Sequence, residues 1–230
     1  MLRLIRLEAK KNKFGWYWKA TLLANPLIAC LIFLIGYIEK VEGNIPFQDT
    51  QEAFIIIGAI VRATFTVFAA VLIAKLVVEE YKNKTIFVMF TYPVNRKKLI
   101  AAKLLIISGL TFIMTIVSNI FVTSVVFSVN SYLDFIPLST TNHTFFQQFL
   151  NMLAFALATA GTSIIPLYFG MRKHSVPATI LSSILIIALT SAHNPLFSLA
   201  SIIYIPVSLA VIGVIIAFWS IRNIEKADVH

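Results

Sequence analysis

The chain alternates between six long apolar runs and short polar segments. The runs cover about 18–38, 53–78, 99–127, 146–169, 176–192 and 197–221, and none shows strict apolar–polar alternation. Runs of roughly 20 apolar residues of this kind select helices, because hydrocarbon leaves backbone N–H and C=O groups no partners except one another. The pattern predicts an all-α polytopic membrane protein: six transmembrane helices in a single domain over 1–230. Trp16, Tyr17 and Trp18 at one end of the first run, and Tyr37 at the other, match interfacial aromatic belts. Ahead of that run, 1–13 sets Leu2, Leu4, Ile5, Leu7 and Ala9 against Arg3, Arg6, Lys10, Lys11 and Lys13. This is a basic amphipathic helix suited to the headgroup layer, either as a plain anchor or also as a contact for a cytoplasmic partner.

Individual runs carry further detail. The second run counts 26 residues and as a helix would be roughly 39 Å long, more than the ≈ 30 Å hydrocarbon core. It must tilt or project, carrying Lys75, Glu79 and Glu80 beyond the lipid. In the third run, for which Asn95 is a candidate N-cap, Ser108, Thr111, Thr115, Ser118, Asn119 and Thr123 recur every three or four positions. They share one helix face, which suits a helix–helix seam or a ligand path. Gly161, Thr162 and Ser163 before Pro166 predict a kink in the fourth run. Met171-Arg172-Lys173-His174 forms a basic turn, Pro177 sits near the start of the fifth run, Asn194-Pro195 marks a turn, and Pro206 falls inside the sixth run.

Composition agrees with the pattern. At 59% hydrophobic and 13% charged, with mean hydropathy +0.87, the chain is too apolar for a soluble domain, where about a quarter of residues are charged. Net charge is +9, and its distribution explains it without nucleic acid. Six Lys/Arg lie in the N-terminal segment, seven around the second polar segment, two at 172–173 and two in the tail. Only Lys40 and Arg62 lie elsewhere. The positive-inside rule then places both termini and the 79–103 segment in the cytoplasm of a multi-pass cell-membrane protein. The first strongly apolar stretch begins near Ala20 with no small-x-small site after it, so no cleaved signal peptide is expected. A single cysteine, Cys30, excludes an internal disulfide. His143, His174, His193 and His230 lie on separate loops or the tail, away from metalloprotease spacing. No Gly-rich phosphate loop is followed by Lys-Ser/Thr, so any ATP energy must come from another chain.

The 79–103 segment, EEYKNKTIFVMFTYPVNRKKLIAAK, is the long polar interruption around which the runs are arranged. It holds paired carboxylates, an apolar cluster at Ile86, Phe87, Val88, Met89 and Phe90, a breaker at Pro93 and a basic patch at Arg96, Lys97 and Lys98. Glu79-Glu80, Thr85, Pro93-Val94-Asn95-Arg96 and Lys103 resemble the E-E-x-x-x-G-T … P-[VL]-[ST]-R … K pattern of ABC-2 type permeases, the membrane subunits of ABC transporters. Lys84 replaces the Gly and Asn95 the Ser/Thr. The resemblance implies a half-transporter that pairs with a second copy or a homologous permease. It also implies a cytoplasmic coupling helix in the 79–98 loop that docks into a separate ABC ATPase, which holds ATP and Mg while this chain binds no cofactor itself. Glu79, Glu80, Lys84, Thr85, Ile86, Phe87, Met89, Phe90, Pro93 and Arg96 are the expected coupling residues, with the apolar cluster as a plug. The basic patch serves docking or simply holds lipid headgroups.

The expected activity is export of an amphipathic peptide or hydrophobic compound, as in permeases of antimicrobial-peptide export and immunity. Two alternatives stand beside it. One is a non-transporting membrane scaffold. The other is a CAAX-type intramembrane protease, since Glu79-Glu80 and Lys84 approximate EExxxR, although Lys replaces Arg and Phe169 and His174 are five residues apart instead of four. Arg62 is the ionised residue deep inside a run, at a cost of about 2.5–3.5 kcal/mol on insertion scales. It is read as an anionic-substrate contact, as a gate pairing across a subunit interface, or as an internal pair with Glu52 or Asp134.

Overall fold

A computed structural model of the chain describes residues 2–11, 15–43, 47, 49–83, 96–133, 136, 142–173, 175–190, 193–194, 197–198 and 204–223. Its helices are α1 (Leu2–Lys11), α2 (Gly15–Val41), α3 (Thr50–Ile73), α4 (Glu79–Lys82), α5 (Arg96–Leu133), α6 (Asn142–Thr162), α7 (Pro166–Lys173), α8 (Val176–Thr190) and α9 (Tyr204–Asn223). A π-helical turn at Ala74–Val78 joins α3 to α4 without a break. Among the described residues, four stretches are long and apolar enough to cross a membrane, namely Gly15–Val41, Thr50–Lys82, Lys97–Asn130 and Phe146–Arg172. Val176–Thr190 and Pro206–Ser220 are shorter apolar helices. At 15 residues α8 is about 22 Å long, short of the ≈ 30 Å core.

Unlike a soluble bundle, the chain carries apolar side chains on its outside as well as in its core. The outward faces of α2, α8 and α9 are apolar, with Leu22, Leu27, Leu181, Leu185, Ile215 and Phe218 all exposed. The interior is rich in small and hydroxyl residues, including Thr21, Thr66, Thr111, Thr115, Ser118 and Ser183. Lipid gives apolar side chains no reason to hide, so helix contacts form where small residues allow close approach and hydroxyls find partners. Thr111 Oγ1 donates to Ile107 O at 2.8 Å and Thr115 Oγ1 to Thr111 O at 2.7 Å, so these hydroxyls satisfy themselves one turn back. α5 is central, packing against α1, α2, α3 and α6. At 38 residues it extends about 57 Å, well beyond the hydrocarbon core.

Two glycine contacts set the tightest packing. A Cβ on Gly161 of α6 would lie 2.6 Å from Ala210 Cβ and 3.0 Å from Ala210 Cα of α9, and one on Gly213 would run into the Gly161 carbonyl. Gly170 of α7 is wedged between Thr179 of α8 and Val78 of the π turn, where a Cβ would approach Val78 Cγ2 to 2.8 Å. Both sites require the absence of a side chain.

The predicted kink is present. α6 ends at Thr162 and α7 begins at Pro166, with tightened bonds from Ile164 N to Gly161 O (3.2 Å) and from Ile165 N to Thr162 O (3.1 Å) between them. The start of the last helix differs from the sequence reading. Phe197 does not open the last helix, because Phe197–Ser198 pairs antiparallel with His193–Asn194 and α9 starts at Tyr204. Pro206 consequently falls in the first turn of α9, where its missing N–H costs nothing, and not in the helix interior.

Candidate functional site

The described part of the 79–103 segment is built around a buried ammonium. Lys103, on α5, is 2% exposed. Its Nζ donates to the Leu76 carbonyl at 2.9 Å and is paired with the Glu80 carboxylate. Leu76 lies within the π turn, and an i→i+5 bulge of this kind disturbs the regular i→i+4 ladder and lets a carbonyl reach a side chain. Lys11 of α1 approaches the other Glu80 oxygen at 3.2 Å. Glu80 therefore ties α1, α4 and α5 into one knot immediately before the 84–95 segment. Nearby, Lys75 Nζ sits 5.8 Å from the Trp16 ring centroid.

Glu79 and Glu80 do not act as a pair. Neighbouring helix positions diverge by about 100°, so Glu80 turns in to Lys103 while Glu79 stays exposed. That divergence does not favour a shared water between the two carboxylates. Lys84, Thr85, Ile86, Phe87, Met89, Phe90 and Pro93 lie outside the described residues, and Arg96 is described only in its backbone. The basic patch is represented by Lys97, half-buried, and Lys98, exposed.

A second polar feature lies at the opposite end of the bundle, toward the N-terminal ends of α3 and α6. A cleft of about 430 Å³ opens between α3, α5 and α6. Arg62, 6% exposed, forms its floor, with the guanidinium carbon 4.3 Å from the Phe155 ring centroid. Helical side chains slant toward the N-terminus, and Arg62 accordingly reaches back over Gly58, where a Cβ would meet Arg62 Nη1 at 3.5 Å and Asn119 Oδ1 at 4.0 Å. Asn119 Nδ2 donates to Thr115 O at 3.0 Å, which turns Oδ1 toward that point. Gln148 and Asn151 of α6 and Thr123 of α5 add polar wall, and Phe54, Ile120, Phe149 and Met152 add apolar wall.

The polar stripe of the third run is thereby divided. Thr111, Thr115 and Ser118 form the buried seam, whereas Asn119 and Thr123 line the cleft. Asp134, one suggested partner of Arg62, lies outside the described residues. Sequence reading did not single out Gly58, Gln148, Asn151 or Phe155. The available signals were a glycine four residues before the buried arginine and a polar i, i+3 pair in an apolar run.

Comparison with known proteins sets these features in a family. The model of the ABC-2 family transporter proteins matches residues 4–189, which is most of the chain. The chain belongs to the ABC-2 transporter family. It is also 52% identical over 227 residues to the uncharacterized protein YcbO of Bacillus subtilis (strain 168), covering 99% of this chain and 100% of that one. No solved structure matches the chain. ABC-2 permeases are membrane components of transporters and typically work with an ABC ATPase, which fits a multi-pass chain of apolar helices. The matched region of this ABC-2 protein contains both the Lys103–Glu80–Lys11 knot and the Arg62 cleft.

Proposed function

We propose that the chain is the permease subunit of an ATP-driven exporter, with six spans, both termini cytoplasmic, and α1 lying at the membrane surface. It works as a dimer with itself or a sister permease and moves an amphipathic peptide or hydrophobic compound out of the cell. A separate ATPase carrying ATP and Mg engages the 79–98 loop, with Phe87, Met89 and Phe90 as the apolar plug and Glu79, Lys84, Thr85, Pro93 and Arg96 around it. The exposed apolar faces of α2, α8 and α9 meet lipid or the second subunit.

The observation that supports this reading best is the knot at Glu80. A displacement of the loop after Lys82 acts first on Glu80, and through it on α1 and α5, because Lys11 and Lys103 are bound to the same carboxylate. The test is to co-express the chain with its ATPase, purify the complex and measure ATP turnover. Phe87→Asp with Phe90→Asp is expected to abolish both co-purification and stimulated turnover. Retention of both would overturn the coupling assignment.

A further inference from the structure

Lys75 stands apart from its neighbours in α3 and the π turn. From Leu72 to Val78 every residue is buried except Lys75, and the next residue, Leu76, gives its carbonyl to Lys103 on the inner side. The stretch belongs to the apolar run Thr50–Lys82, where an ammonium is costly unless it reaches the membrane interface. Lys75 extends to Trp16 of α2, which is 61% exposed at the start of the Gly15–Val41 run. Indole rings at the ends of spans sit at headgroup level, and lysine stems snorkel to the same level. Lys19, three residues after Trp16 and exposed, shares that face of α2. Helical side chains slant toward the N-terminus, which carries its ammonium back toward Trp16.

Nothing among the described residues neutralises these two cations. Neither Lys75 nor Lys19 forms an ion pair there, and the Glu80 carboxylate is already shared by Lys11 and Lys103. Glu79, four residues beyond Lys75, is exposed and makes no ion pair with it. Two like charges and an indole N–H, which only donates, thus gather around Trp16 with no acceptor among them. One turn deeper on the same face of α2, Leu22 and Leu23 are 76% and 67% exposed. Donors at the interface with bare apolar side chains beneath them match a phosphate carried on an acyl chain. A free anion or a soluble acidic peptide has no use for the leucines.

We infer that Trp16, Lys19 and Lys75 form a headgroup site for an anionic phospholipid, its phosphate between the two ammoniums and an acyl chain along Leu22 and Leu23. A zwitterionic lipid fits less well, because its own cation adds a third positive charge to the site. The inference rests on the proposed orientation only for the leaflet, which is then the cytoplasmic one.

The site is tested with the full chain carrying Trp18→Phe and Trp219→Phe, which leaves Trp16 as the fluorescent reporter. The protein is placed in phosphatidylcholine nanodiscs containing increasing fractions of phosphatidylglycerol or phosphatidylcholine brominated on the acyl chains. Brominated phosphatidylglycerol should quench Trp16 at a mole fraction about fivefold or more below that needed with brominated phosphatidylcholine. Lys75→Gln and Lys19→Gln, both at exposed positions, should each reduce this preference about fivefold, and together they should remove it. Lys82→Gln, an equal loss of charge at another exposed position, should leave it unchanged. Equal quenching by the two lipids, a preference that survives the double variant, or a loss as large in Lys82→Gln would overturn the inference, the last because binding would then be diffuse surface attraction. Excess inorganic phosphate should not reverse the quenching; reversal would overturn the assignment to a lipid. Nanodiscs present both leaflets and contain no ATPase, so failure here leaves the orientation and the coupling assignment standing, and failure of either leaves the binding result standing.

Discussion

Lys103 and Arg62 are both cations withdrawn from solvent, at 2% and 6% exposure, yet their surroundings differ in kind. Lys103 is closed in, with a backbone carbonyl at 2.9 Å and the Glu80 carboxylate against it. Arg62 lies on an aromatic ring at the floor of an open cleft. A buried charge enclosed by its counter-charge is a structural joint, since any movement of one group exposes the other to an apolar interior. The two ends of the same bundle thus hold a closed polar joint and an open polar cleft.

The largest expected effect is at the enclosed end. Removing one partner of the Lys103–Glu80 pair, as in Glu80→Ala, should destabilise the protein by about 3–5 kcal/mol, whereas Glu80→Met with Lys103→Met should recover most of that loss. Thermal unfolding of the single and double variants in one detergent checks this. Full additivity would show that the two groups do not depend on each other. Next in size is the α6–α9 contact. Gly161→Ala places a methyl 2.6 Å from Ala210 Cβ and should cost about 1–3 kcal/mol by overpacking, whereas Gly58→Ala, at 3.5 Å from its nearest neighbour, should change stability far less.

Arg62→Met removes the contact of the guanidinium with Phe155 and should cost at least about 0.5–2 kcal/mol, the scale of a cation–π contact, read by the same thermal unfolding. A destabilisation matching that of Glu80→Ala would place Arg62 with the joints and erase the contrast. The smallest effect belongs to Lys11, whose side chain is 48% exposed. Lys11→Ala should cost at most about 1 kcal/mol, and the difference from wild type should shrink at high salt. A salt-independent loss would mean that the α1 contact is more deeply desolvated than its exposure indicates.

Much of the architecture was legible in the chain because a bilayer imposes severe rules. Apolar length marks the four long helical stretches, and Gly161-Thr162-Ser163 before Pro166 marks the break between α6 and α7 for the same local reasons that produce it. Phe197 was misplaced as the start of the last helix, since Phe197–Ser198 is paired with His193–Asn194, because hydrophobicity alone does not separate a short paired segment from the first turns of a helix. The π turn left no sequence signature among Ala74–Val78. It becomes visible only through Lys103, 27 positions after the carbonyl it reaches.

By itself, the sequence determined the membrane class, the order of the apolar elements, the Glu79-Glu80 signature and the presence of one deep arginine. These follow from composition, run length and local spacing, all of which act between residues near in the chain. Only the tertiary structure decided which carboxylate is bound and which is exposed, and that Arg62 of α3 faces Asn119 of α5 and Phe155 of α6 across a cleft. Those outcomes depend on how helices distant in sequence rotate and approach one another. That geometry is set by small-residue contacts such as Gly161 with Ala210, whose consequences no local pattern contains.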